Sequence, residues 1–199
     1  MKMCIGGQWM EKPGKIEVRH PFDNSLVDTV PHGDAGDVDK ALAAAVRGAK
    51  AMAKLTAHER YQVLMKAAQK IEARTEELAR TITLESGKVI TEARGEVGRA
   101  VQTLQLSAEE ARRIHGETVP LDASPGGAGK FGFTLRVPVG VVVAISPFNF
   151  PLNLMVHKVA PAIAAGNAVV MKPPTATPLS SLKLAEVLLE CGAPAEAVS

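Results

Sequence analysis

Four stretches before residue 116 repeat apolar residues at intervals of three and four, the spacing that lays one stripe along a helix. From Asp37 onward, Val38, Ala41, Leu42, Ala45, Ala49 and Met52 share a face. Thr56-Ala57-His58-Glu59 has the capping-box form, in which hydroxyl and carboxylate satisfy the free amides of a helix start. Tyr61, Leu64, Met65, Ala68 and Ile71 supply the stripe that follows. Leu78, Ala79 and Ile82 continue the pattern up to Ser86-Gly87. A proline-free stretch then aligns Val89, Ala93, Val97, Ala100, Val101, Leu104, Ala108 and Ala111. The spacing predicts four helices forming a layer over residues 37–116.

Elsewhere the period shortens to two. Lys15 to Val18 and Leu26 to Val30, punctuated by Pro21, Asp23-Asn24, Pro31 and Gly33, predict hairpin-like opening strands over residues 1–36. Beyond the loop-forming run Ser124 to Gly129, Phe131, Phe133, Leu135 and Val137 alternate with Gly132, Thr134 and Arg136. That alternation predicts a half-buried linking strand over 130–138, interrupted at Pro138. Val139 to Ile145 and Ala168 to Met171 are almost wholly apolar, as strands covered on both faces are. Residues 153–165 are compatible with a helix that closes at Gly166-Asn167, with Pro161 expected to bend or break its last turn. A final helix is expected with Thr177 as N-cap, Pro178 at its first position and Gly192 at its end. The fold class is therefore α/β: a helical layer leading into the first half, residues 139–199, of a doubly wound Rossmann-type parallel sheet.

Composition narrows the partners. The 199 residues are 46% hydrophobic but only 4% aromatic, which leaves Ala, Val and Leu to fill the interior. A net charge of +2 from 23 basic and 21 acidic residues, with no run of Lys or Arg, excludes a nucleic-acid partner. No apolar stretch is long enough to cross a bilayer and the first nine residues contain no signal-type apolar run, so the expected location is the cytoplasm. Cys4 and Cys191 lie outside any metal-ligand or disulfide spacing, and no metal site is expected. Neither suits a nucleophile: Cys191 falls in the last turn of a predicted helix, where the dipole raises a thiol pKa, and Cys4 sits in an opening segment expected to be flexible. His58 and His115 read as surface residues and His157 as packed or hydrogen-bonded, without a chemical role.

Both strands of a right-handed βαβ unit run the same way, so the loops Ser146 to Pro151 and Lys172 to Thr177 leave the sheet at one edge, where ligands bind such folds. Prolines stiffen both loops. Asn149 offers a side-chain amide able to stabilise a developing oxyanion, and Lys172 offers a cation suited to the hydroxyls or phosphates of a nucleotide. The plainer alternatives are a turn residue at Asn149, a solvated strand-end charge at Lys172, and loop or cap roles for Thr175 and Thr177.

At these loops the chain resembles the aldehyde dehydrogenase superfamily. The resemblance runs from Ile5-Gly6-Gly7-Gln8-Trp9 through His20-Pro21 and Glu85-Ser86-Gly87-Lys88 to the stretch Val141 to Pro178, which is its most specific part. It implies NAD(P)-dependent oxidation of an aldehyde to an acid: a cysteine thiolate attacks, hydride passes to the nicotinamide, and a general base delivers water to the thioester. Asn149 matches the oxyanion-binding amide and Lys172 the lysine on the adenosine ribose. Ile145, Ser146, Pro147 and Phe148 match the loop lying along the cofactor. Thr175 stands where many NAD-preferring members have a glutamate, which leaves NAD and NADP both open, and no GxGxxG follows Ile145. The resemblance also places the catalytic cysteine and glutamate beyond Ser199. The wording around Pro147 to Pro151 and His157-Lys158 resembles members handling small or phosphorylated aldehydes. Homo-dimers or homo-tetramers joined through strands are expected at full length, with Phe131 to Val137 as the segment contributing here. A different class of reading, a nucleotide-binding or interaction module without catalysis, applies if the chain acts alone.

Overall fold

The computed structural model describes all 199 residues. Two antiparallel hairpins open the chain: β1 (Met3–Ile5) with β2 (Gln8–Met10), and β3 (Lys15–Arg19) with β4 (Leu26–Pro31). Cys4 is not in a flexible segment, as the sequence had suggested, but buried in β1 opposite Trp9. Four helices follow: α1 (Ala35–Met52), α2 (Ala57–Ala73), α3 (Thr75–Ser86) and α4 (Ile90–Ala111). The predicted stripes form their buried faces, except that Val38 at the start of α1 and Val89 just before α4 are largely exposed. The Thr56–Glu59 capping box is present, with the Glu59 amide donating to Thr56 Oγ1 at 3.2 Å. A second box at Asp34 and Asp37 starts α1, and Lys12 pairs with both carboxylates.

Small side chains let these helices approach closely. At Gly48 the limit is reached, because a Cβ there would lie 2.3 Å from the Glu196 carbonyl oxygen in the turn Ala195–Ala197.

The parallel pair β7 (Val141–Ile145) and β8 (Ala168–Lys172) is joined by α5 (Asn153–Ala164), in the register Val141↔Ala168 to Ile145↔Lys172. Both β5 (Thr118–Val119) and β6 (Gly132–Phe133) are two-residue strands, paired with each other. The last helix is α6 (Leu179–Glu190). α1 and α5 pack on the β7–β8 sheet, and α2 and α4 pack against α5. Val198 begins a third parallel position beside Val169, with the Met171 amide donating to Ser199 O at 2.7 Å. β8 is thus flanked on both edges and buried along most of its length.

Three expectations are corrected. Val139 to Ile145 is not covered on both faces: β7 has β8 as its sole strand neighbour, and Val139, Val143 and Ile145 are exposed. The linking segment is not a half-buried strand, since only Gly132–Phe133 is extended in a ladder and Phe131, Phe133, Leu135 and Val137 all face solvent. Alternation predicts burial only where a second layer covers one face, and none does here. Thr177 is not the N-cap of α6. The helix begins one residue later than expected, at Leu179, and its free amides are satisfied from another element. Pro161, by contrast, sits inside α5 without ending it, and the helix runs on to Ala164.

Candidate active site

Because Ile145 is paired with Lys172, the loops after β7 and β8 leave the sheet side by side. The Ser146 amide donates to Lys172 O at 3.3 Å, and Thr177 Oγ1 lies 3.4 Å from Phe148 O. Ser146 is buried, whereas Ile145, Pro147, Phe148 and Asn149 are exposed around it. The Asn149 carboxamide makes no hydrogen bond within the chain, and its main-chain carbonyl accepts from Lys88 Nζ at 3.0 Å. Lys172 is exposed at the end of β8 without a carboxylate partner, and Thr175 is exposed in the following loop. Lys172 and Thr175 line a cavity of about 370 Å³ together with Met171, Pro174, His32 and Leu182, within the range of small-molecule clefts. Asn149 and the Ile145–Phe148 stretch do not border it. The structure therefore brings the two loops together at one edge, with Lys172 and Thr175 at the cavity and Asn149 outside it.

Two buried carboxylates hold the roots of these loops. Glu96, fully buried on α4, accepts from the amides of Leu152 and Asn153 at 3.0 and 3.2 Å, capping α5. Its other oxygen pairs with Lys88, whose ammonium also lies 4.0 Å from the centroid of the Phe150 ring. Lys88 reaches this position because Gly87 ends α3 in a left-handed conformation, at φ 74°, and turns the chain toward α4. Glu85, at the end of α3, does the same for α6: it accepts from the Leu179 amide at 2.7 Å, the Ser180 amide at 3.1 Å and the Ser180 hydroxyl. No cation offsets it, and burial pushes its carboxyl up to about 7 against the pull of those three donors.

None of these three residues follows from the strand-end loops that drew attention in the sequence. The available signal was a carboxylate inside an apolar stripe: Glu85 three positions after Ile82, and Glu96 between Ala93 and Val97. A charged residue at a position facing the core is buried only if partnered.

The thiols are buried and unsuited to attack, with Cys4 and Cys191 both pushed up by desolvation. For Cys191 burial, rather than the helix dipole, is the main cause. His157 is exposed, with Nε2 3.4 Å from Thr103 Oγ1.

The family model described as "Aldehyde dehydrogenase family" matches residues 9–199. The chain belongs to this family. It is 48% identical over 192 residues to a 3-sulfolactaldehyde dehydrogenase of Priestia aryabhattai, covering 96% of this chain and 40% of that protein. Among solved structures it resembles aldehyde dehydrogenase 21 of Physcomitrella patens in complex with succinate, with a TM-score of 0.95 and 43% identity over 100% of this chain and 42% of that one. It equally resembles the NADP-dependent glyceraldehyde-3-phosphate dehydrogenase of Bacillus halodurans C-125 complexed with NADP, with a TM-score of 0.95 and 35% identity over 99% and 42% of the two chains. The chain thus spans about 40% of the length of the aldehyde dehydrogenases it matches. No helix is long and apolar enough to cross a membrane.

Proposed function

We propose that this chain forms the first half of the cofactor site and the oxyanion donor of an NAD(P)-dependent aldehyde dehydrogenase, which oxidises a small or phosphorylated aldehyde to its acid. The observation that carries the reading is the Ile145↔Lys172 register, which sets the Asn149 loop and the Lys172–Thr175 loop at one edge of a parallel sheet.

The residues fit a dinucleotide. Lys172 presents an ammonium free of carboxylates to the ribose hydroxyls, and Ile145, Pro147 and Phe148 give an exposed, largely apolar ledge for the cofactor to lie along. Thr175 carries no charge that would repel a 2′-phosphate, so both NAD and NADP are accommodated. When bound, the cofactor supplies the two-electron oxidant. Asn149 contributes a side-chain N–H donor that no other group in the chain occupies, held on a loop stiffened by Pro147 and Pro151. That donor stabilises the oxyanion formed when a thiolate adds to the aldehyde carbonyl. Neither Cys4 nor Cys191 suits the attacking thiolate, because both are buried and their thiols resist ionisation. The named substrates of two relatives, 3-sulfolactaldehyde and glyceraldehyde 3-phosphate, support a small aldehyde. The exposed segment Phe131 to Val137 is the surface through which the full protein associates as a homo-dimer or homo-tetramer.

The test is aldehyde-dependent reduction of NAD(P) by the protein extended to the length of its relatives. Asn149→Ala is expected to lower kcat by about 10²–10³. An unchanged rate would take Asn149 out of the mechanism, and nucleotide binding without any turnover would leave a binding module.

A further inference from the structure

The polar ends of Asn149 are divided. Its carboxamide has no partner in the chain, while its main-chain carbonyl is held at 3.0 Å by Lys88, which also lies over the ring of the next residue, Phe150. Glu96, paired with Lys88, binds the amides of Leu152 and Asn153. Of residues 149 to 153 only Pro151, which has no amide hydrogen to offer, is not fastened to this ion pair. The two side chains are 12% and 0% exposed, so solvent screens the pair little. Capping α5 accounts for the bonds that Glu96 makes to Leu152 and Asn153. It does not account for an ammonium placed on the Asn149 carbonyl and on the Phe150 ring, both upstream of the helix.

We propose that Lys88 and Glu96 are positioning residues that fix the Asn149 backbone and so aim its carboxamide at the reacting carbonyl oxygen. The inference rests on the reading of Asn149 as the oxyanion donor. A loop exposed from Pro147 to Asn149 would otherwise sample positions well beyond the roughly 0.5 Å tolerance that a preorganised donor requires. Four contacts to one buried pair remove that freedom from Asn149 to the start of α5. Lys88 touches neither aldehyde nor cofactor in this scheme, and its whole effect passes through Asn149.

That last property makes the proposal testable by a double-mutant cycle in the protein extended to its relatives' length. Lys88→Met is expected to lower kcat by about 10- to 100-fold, the effect of a small misplacement of a catalytic group, with the KM for NAD(P) unchanged. Lys88→Arg, which keeps a donor, should recover part of the loss. In an Asn149→Ala background, Lys88→Met should change kcat by less than about twofold, because there is no longer a donor to position. Equal losses in the two backgrounds would overturn the proposal, as would a wild-type rate for Lys88→Met. Should Lys88→Met alone fail to fold, with Glu96 left as an unpaired buried charge, the Lys88→Met/Glu96→Gln pair carries the same cycle. Asn149→Ala measured by itself separates the two ideas: if it has no effect, the oxyanion reading fails and this inference goes with it.

Discussion

The two helices that follow the strand-end loops are started by the same device and neutralised differently. In each case a buried glutamate from the helical layer receives the first amides of a later helix, Glu96 for α5 and Glu85 for α6. Both carboxylates sit at the positive end of a helix dipole. Glu96 has Lys88 beside it, while Glu85 has only two amides and a hydroxyl. The consequence is visible in Glu85, whose carboxyl titrates at about 7 because burial outweighs its hydrogen bonds. A full counter-charge lets a buried carboxylate serve as a fixed anchor. Neutral donors alone leave it sensitive to pH near neutrality. The loop assigned the oxyanion donor is the one rooted in the charge-balanced arrangement.

The largest effect that would sharpen this contrast comes from Glu96→Ala. It strands the Lys88 ammonium and leaves two α5 amides without an acceptor, a loss on the order of 3–5 kcal/mol for breaking one side of a buried pair. Urea unfolding of the variant beside the parent measures it, and a loss below 1 kcal/mol would show that the pair contributes little to stability.

Glu85 should reveal itself through pH. Its folded carboxyl ionises at about 7 and an ordinary one at 4.5, so the native state binds the extra proton. Its contribution is therefore full below pH 4.5 and is lost as pH rises to about 7, a change on the order of 3 kcal/mol. Glu85→Gln removes this dependence, and thermal melts of parent and variant across that window should converge or cross as pH rises. Parallel curves would mean that Glu85 is already ionised throughout.

The smallest change sets the scale for capping without burial. Thr56 and Glu59 form an exposed capping box at the start of α2. Thr56→Ala should cost about 1 kcal/mol by urea melt, with no pH dependence between 5 and 8. A cost comparable to that of Glu96→Ala would contradict the idea that burial, rather than capping itself, makes the two glutamates consequential.

Legibility in the sequence tracked how local the deciding interactions are. The four helices of the N-terminal layer, the Thr56 box and β8 were readable because stripes, caps and apolar runs are properties of neighbouring residues. The edge bearing Asn149 and Lys172 was also readable, since a βαβ connection fixes where the two loops emerge. The start of α6 was not: Thr177 has the chemistry of an N-cap, but Glu85, 94 residues earlier, takes the Leu179 amide instead. The exposure of Phe131 to Val137 and of Val143 and Ile145 was likewise hidden, because apolar alternation says which face seeks cover and not whether anything covers it.

Sequence alone determined the helices, the parallel strand pair and the candidate amide and lysine at its edge, all of which follow from short-range spacing and from the handedness of chain connections. Tertiary structure decided which buried charges are balanced. Lys88 and Glu96 are eight residues apart, yet the loop they hold lies more than 50 residues away, and Glu85 finds its donors on a helix at the other end of the chain. Desolvation and Coulomb attraction depend on distance in space and on what excludes water, and neither quantity is written in the order of residues.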